Sequence, residues 1–165
     1  VERQDARLDA WASGAGVTFA NADGEAGYRR RAGLFRDAIQ LKKTPARVPV
    51  FFMGGFAVTK LYGISGERAM YDPATAGQAF LDFTLAYEPD AAPSPRAVAY
   101  GPPLEALDYI LYKWPGHGVA ENLSFQYVEK EYMKAEEYDH FISDPTDYWL
   151  RVWLPRTHGA LAPLA

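Results

Sequence analysis

Apolar positions along this chain fall into short periodic runs punctuated by glycine and proline. Tyr28, Ala32, Phe35, Ala38 and Ile39 recur at three and four, which predicts an amphipathic helix with arginines on its wet face. Thr44-Pro45 ends it, because proline disfavours helical geometry in the residue before it. The apolar run "RVPVFFM" (Arg47–Met53) reads as a short buried strand despite Pro49, and "GGF" breaks it. Asp72-Pro73 opens another helix, since aspartate accepts from the free amides of the first turn and proline fits the first helical position. Ala76, Ala79, Phe80, Phe83 and Ala86 form its apolar face up to Pro89.

"DAAPSP" leaves room for only a brief strand, and Pro102-Pro103 starts a helix with Leu104, Leu107 and Leu111 on one face. "FQYVEKEYM" has the rings and valine of an extended segment. Tyr138, Phe141 and Ile142 predict a helix to Asp144. Asp144-Pro145 restarts it through Tyr148, Trp149, Val152 and Trp153, with Pro155 as its stop. Residues 1–27 read as an N-terminal arm, with a weak helix at Glu2–Trp11 and glycines at 14, 16, 24 and 27 as breakers. From residue 28 the order is helix, strand, helix, strand, helix, strand, helix, the alternation of βα units around a parallel sheet.

Composition narrows the classes. A chain of 165 residues, 48% hydrophobic and 15% aromatic, is long and apolar enough for a sizeable core. Net charge is −4 and the longest basic run is Arg29–Arg31, which argues against nucleic acid and against an anionic membrane surface as partners. No apolar run reaches the roughly 20 residues of a bilayer span. Nothing calls for an oxidising compartment, so a cytoplasmic location is expected. Without cysteine, the chain has neither disulfides nor a thiolate metal site, and no metal ligands are assigned within it.

The densest polar stretch is "KWPGHGVAENLSFQYVEKEYM" (Lys113–Met133). His117, between two glycines, is either a loop imidazole lining a pocket or a turn residue whose ring caps a backbone group. Glu129 and Glu131 have strand spacing and would leave one face of an extended segment. They are either a reactive carboxylate pair or part of an exposed lead-in beside Lys130 and Lys134. Arg96 could pair with a substrate anion or sit in a surface ion pair. Gly54-Gly55 permits close backbone approach to a ligand, as any tight turn would. Trp149 and Trp153 at helical spacing read as packing residues, and His140 and His158 as surface or cap residues.

Several stretches, in unbroken order over about residues 28–158, resemble the uroporphyrinogen decarboxylase superfamily, especially its decarboxylase-like branch. They are "RVPVFFMGGF", "YGISGERAMYDPATAGQAFLDF", "YEPDAAPSP", "KWPGHGVAENLSFQYVEKEYMKAEEYDHFISDP" and "DYWLRVWLPR". The resemblance implies an α/β fold, the N-terminal part of a (β/α)8 TIM barrel, with residues 28–165 as a partial barrel domain. Such barrels take about 250 residues, so the remaining strands are expected elsewhere in a longer protein. "FQYVEKEYM" is then the third strand, delivering Glu129 and Glu131 to the barrel mouth, where active sites of this fold lie.

The family's chemistry divides into cofactor-free decarboxylation of a tetrapyrrole and methyl transfer involving corrinoid cobalt and thiols, commonly with zinc. In the true decarboxylases an "MRQAGRY"-like loop after the first strand binds substrate carboxylates through arginines. Here the loop reads "FFMGGFAVTKLYG", with Lys60 as its only cation, a point charge without arginine's fork. Where those enzymes place an aspartate after the second strand, this chain has Arg96-Ala97. These departures favour corrinoid-linked methyl transfer, or a related small-molecule reaction, over authentic uroporphyrinogen decarboxylation. In that reading His117, Glu129 and Glu131 are the candidate catalytic residues, and Arg96, Lys60, Gly54 and Gly55 the candidate substrate contacts. The expected partners are a small-molecule substrate, a corrinoid protein and a second copy of the chain, with any zinc ligands outside these residues. The alternatives are a true decarboxylase whose anion site uses Lys60 and Arg96, or a non-catalytic tetrapyrrole or corrinoid carrier.

Overall fold

A computed structural model of the protein describes residues 2–92 and 98–165. Two compact units divide the chain: Val1–Met53 with Thr84–Pro93, and Gly54–Phe83 with Ser94–Ala165.

The first unit is built on α1 (Glu2–Ser13) and α2 (Ala22–Gln40). α2 starts at Ala22 rather than Tyr28 because the Asn21 side chain accepts from the Gly24 N–H at 2.8 Å. A cap of this kind stabilises a helix start by about 1 kcal/mol, comparable to what an interior glycine costs. Gly24 and Gly27 therefore lie inside the helix instead of breaking it. The N-terminal arm packs against α2 and the residues that follow it. The Tyr28 hydroxyl donates to the Trp11 carbonyl at 2.9 Å, Lys42 pairs with Asp5 at 2.8 Å, and Phe19 lies against Tyr28 with ring centroids 5.3 Å apart. Residues 2–27 thus share one unit with α2.

The stretch expected as the first strand is held by a side chain more than by a ladder. Phe51 forms a single parallel bridge to Ala91, with the Phe52 N–H donating to the Ala91 carbonyl at 3.3 Å. Val48 and Met53 are exposed, and Pro49 has no N–H to give a ladder. The clamp is Asp90, whose buried carboxylate accepts both Arg47 Nη1 and Nη2 at 2.5 Å and the Val50 N–H at 2.8 Å. The Arg47 guanidinium holds the Asp90 carboxyl below its ordinary range.

The second unit contains α3 (Phe56–Leu61), α4 (Gly66–Tyr71), most of α5 (Pro73–Tyr87) and α6 (Gly101–Ala106). It continues with β1 (Tyr112–Pro115), β2 (Gly118–Val119), β3 (Gln126–Tyr127), α7 (Tyr138–Ser143), α8 (Pro145–Tyr148) and α9 (Leu154–Thr157). α5 starts where the Asp-Pro pair predicts: Asp72 accepts from the Thr75 N–H at 3.0 Å and the Thr75 hydroxyl at 2.6 Å. α6 stops short of the predicted Leu104–Leu107–Leu111 face, the chain turning at Asp108 with φ 46°.

"KWPGHG" makes the tight turn from β1 into β2. Gly116 (φ 79°) and Gly118 (φ 82°) take a backbone conformation that side chains rarely allow. They fold the chain back so that Trp114 and His117 exchange both backbone hydrogen bonds. The resulting sheet has the order β2-β1-β3. β3 runs antiparallel to β1, with Tyr112 opposite Tyr127 and Lys113 opposite Gln126. The stretch predicted as the third strand is therefore paired antiparallel to β1, and within the second unit, among the described residues, the paired strands form this small sheet.

The C-terminal helices pass Pro155 instead of ending at it. The Asp144 side chain caps α8 through the Asp147 N–H at 2.9 Å. A π-turn over Trp149–Trp153 joins α8 to α9, with the Leu154 N–H reaching back to the Trp149 carbonyl. Proline removes one helical donor and crowds the preceding turn, and the widened turn absorbs both defects. Glu137 locks this region. Its carboxylate accepts Arg156 Nη2 at 2.6 Å, Arg156 Nη1 at 2.8 Å, the Lys134 N–H at 2.9 Å and the Tyr148 hydroxyl at 3.2 Å, while Arg156 Nη1 also donates to the Tyr132 carbonyl at 2.6 Å. Among the described residues no helix is long and apolar enough to cross a membrane.

The Arg156 hydrogen bonds lower the Glu137 pKa from 4.5 to about 2. A depressed carboxylate contributes stability that is full above its unfolded pKa and lost as pH falls through its folded one. Thermal melts should therefore drop between pH 4.5 and about 2. Glu137→Gln should flatten that drop, leaving the part due to Asp37, Asp72 and Asp90, whose carboxyls are also lowered.

Candidate functional site

Three side chains of the second unit converge on the hydroxyl of a fourth. Tyr71 is the last residue of α4, Glu105 lies on α6, Trp114 on β1, and His117 in the turn between β1 and β2. The Tyr71 hydroxyl donates to Glu105 Oε1 at 2.5 Å, accepts from the Trp114 Nε1–H at 3.2 Å and lies 3.0 Å from His117 Nε2. His117 Nε2 is also 2.8 Å from Glu105 Oε1. Glu105, Tyr71 and His117 thus close a triangle of short polar contacts. The imidazole is stacked on Trp114, with centroids 4.8 Å apart and 22° between planes.

Local backbone chemistry builds the triangle. Gly101 opens α6 directly against the Tyr71 ring, where a Cβ would overlap the ring carbons. At Gly116 a Cβ would meet the Glu67 carboxylate at 2.8 Å, so glycine lets Glu67 approach the turn that carries His117. Trp114 is buried, whereas the His117 and Glu105 side chains are 41% and 44% exposed. The tryptophan is therefore the inner wall and the titratable pair faces outward. Burial, and then the hydrogen bond to Glu105, push the Tyr71 phenol above its ordinary 10, so it stays protonated at neutral pH.

Proton positions follow from this geometry. Glu105 Oε1 and His117 Nε2 at 2.8 Å are a favourable contact only when Nε2 carries the proton. The carboxylate then holds the imidazole in one tautomer, as an acidic partner does in hydrolase triads. His117 Nδ1 has no hydrogen-bond partner among the described residues.

Of the residues singled out in the sequence, His117 is the one the fold brings into this cluster. Glu129 and Glu131 follow β3 in an irregular, exposed segment, not on one face of a strand. The ladder ends at Tyr127 because its partner strand begins at Tyr112. Arg96 lies outside the described residues. Lys60 is exposed on α3, and Gly54-Gly55 forms the turn into that helix, with Gly55 at φ 50° and the Ala57 N–H donating to the Gly54 carbonyl at 2.9 Å.

Tyr71 and Glu105 escaped the sequence reading. They stand 46 and 12 positions from His117, and nothing local marks either as its partner. Among the described residues no three of His, Asp and Glu gather to hold a metal ion, and the chain has no cysteine. The described residues therefore offer no zinc site, and any zinc ligands implied by the resemblance were expected outside them.

No family model, curated protein or solved structure matches this chain.

Gly101→Ala should cost about 1–3 kcal/mol, the usual penalty of forcing a methyl group into a filled contact, read from urea unfolding. Most of that penalty should vanish in a Tyr71→Ala background, because neighbours that share one contact are not additive. An equal cost in both backgrounds would show that the Tyr71 ring is not what Gly101 accommodates.

Proposed function

We propose that this chain belongs to an enzyme of the uroporphyrinogen decarboxylase-like class, with His117 as its proton-transfer residue. The single observation that carries this reading is the Tyr71–Glu105–His117 triangle, in which a carboxylate holds Nε2 and leaves Nδ1 open. The class is supported by the ordered blocks between residues 28 and 158. The parallel bridge Phe51–Ala91 agrees with a barrel whose first two strands are those stretches. In that arrangement the small β2-β1-β3 sheet is an elaboration after the second strand and not the third strand itself.

The reaction we favour is methyl transfer between a corrinoid and a thiol, in the cytoplasm. Nδ1 would accept the thiol proton as the sulfur becomes nucleophilic, and Glu105 would offset the charge gained by the ring. The Tyr71 hydroxyl, donating to Glu105 and accepting from Trp114, would keep both partners in place.

Supplied with methylcobalamin and a small thiol, the protein should convert the corrinoid to its demethylated form, followed by absorbance. His117→Ala should slow this about a hundred- to ten-thousandfold, the usual span for losing a general acid–base group. Glu105→Gln should slow it less and alter its pH profile. Unchanged turnover in His117→Ala would remove the proton-transfer role. Carbon dioxide release from uroporphyrinogen, with no action on methylcobalamin, would move the protein to the decarboxylases proper.

A further inference from the structure

A cavity in the same unit is separate from the acid–base cluster: none of Tyr71, Glu105 or His117 lines it. It has a volume of about 290 Å³ and is bounded by Phe56, Ala57 and Lys60 of α3, Gly66 of α4, and Asn122, Leu123 and Ser124 of the loop after β2. Its walls differ in chemistry. Phe56, Ala57 and Leu123 are apolar, and the Phe56 ring is braced edge-on by Phe125 with centroids 5.2 Å apart. Lys60, Asn122 and Ser124 are polar, and their side chains hold no hydrogen bond or ion pair among the described residues.

The loop wall is pinned in place. The Glu67 N–H donates to the Glu121 carbonyl at 3.0 Å, and the Leu123 N–H closes a turn onto the Ala120 carbonyl at 2.9 Å. Gly66 sits directly beneath the Leu123 carbonyl, where a Cβ would collide with it. The loop therefore lies on the start of α4 as closely as backbone allows. This gives a formed recess rather than a gap between mobile segments.

Charge selects the occupant. The protein carries a net −4, yet no carboxylate lines this cavity and its one ionic group is the Lys60 ammonium. A cation with three free donors, in a cavity that also holds amide, hydroxyl and aromatic side chains, matches an anionic head on a short apolar body. We propose that this cavity binds a small monocarboxylate with an aromatic or branched apolar body, its carboxylate on Lys60 and its body against Phe56 and Leu123.

Benzoate is the probe, with benzamide as its uncharged counterpart, each titrated into the full chain by calorimetry. Benzoate should bind saturably and about tenfold more tightly than benzamide, the range of one charge-assisted hydrogen bond. Lys60→Met should abolish that preference, and Lys60→Arg should keep it. His117→Gln should leave binding unchanged, so a failed acid–base role and a failed carboxylate site give different results. Absence of saturable benzoate binding, or a preference that survives Lys60→Met in a protein of unaltered melting temperature, would overturn the proposal.

Discussion

The second unit depends on one phenol. The Tyr71 hydroxyl is the point where α4, α6, β1 and the following turn meet, and its three polar contacts lie between 2.5 and 3.2 Å. A hydroxyl has one proton to give and two lone pairs to receive. With the proton on Glu105 and one lone pair on the Trp114 indole, it leaves one acceptor position facing His117. Each neighbour thus has a defined role, and the glycine at 101 is the steric condition that admits the ring. Burial raises the phenol's pKa, which keeps that donor proton in place at the pH where a histidine would work.

Other parts of the chain use the same device, a single polar group in place of a regular ladder. Asp90 holds Arg47 and the Val50 amide in the first unit, and Glu137 holds Arg156, Tyr148 and the Lys134 amide in the second. Both acids have partners that satisfy several oxygen lone pairs at once, which makes a partly buried carboxylate tolerable. Strand pairing is slight, with β2 and β3 two residues each, so these clamps carry much of the order of the connecting segments. The proposed acid–base site is a variant of the same construction. There the carboxylate's partners include a titratable ring that remains open to solvent.

One short segment supports both proposed sites. The six-residue α4 begins with Gly66 under the loop that walls the Lys60 cavity and ends with Tyr71 in the triangle. Glu67 lies between them, its amide on the Glu121 carbonyl and its carboxylate against Gly116. A helix this short is positioned by what its ends touch and less by its own hydrogen bonds. The loop at 121–124 and the turn at 116–118 are consequently held by one element.

Local signals were legible where a residue acts on its own backbone. Asp72-Pro73 and Asp144-Pro145 marked helix starts, and both aspartates cap as their chemistry requires. The apolar period of α2 was readable, although its true start lay behind two glycines that a side-chain cap at Asn21 overrides. His117 stood out because two glycines around an imidazole are unusual locally. What could not be read was any feature that depends on a partner distant in the chain. The β character of "FQYVEKEYM" was correct only for the residues that Tyr112 and Lys113 can reach, so Glu129 and Glu131 left the ladder. Pro155 reads as a stop in a one-dimensional pattern, but a widened turn can house it. Tyr71 and Glu105 carry no mark of their own. Propensities and caps act over a few residues of backbone, whereas a hydrogen-bonded triangle exists only once packing brings its corners within 3 Å.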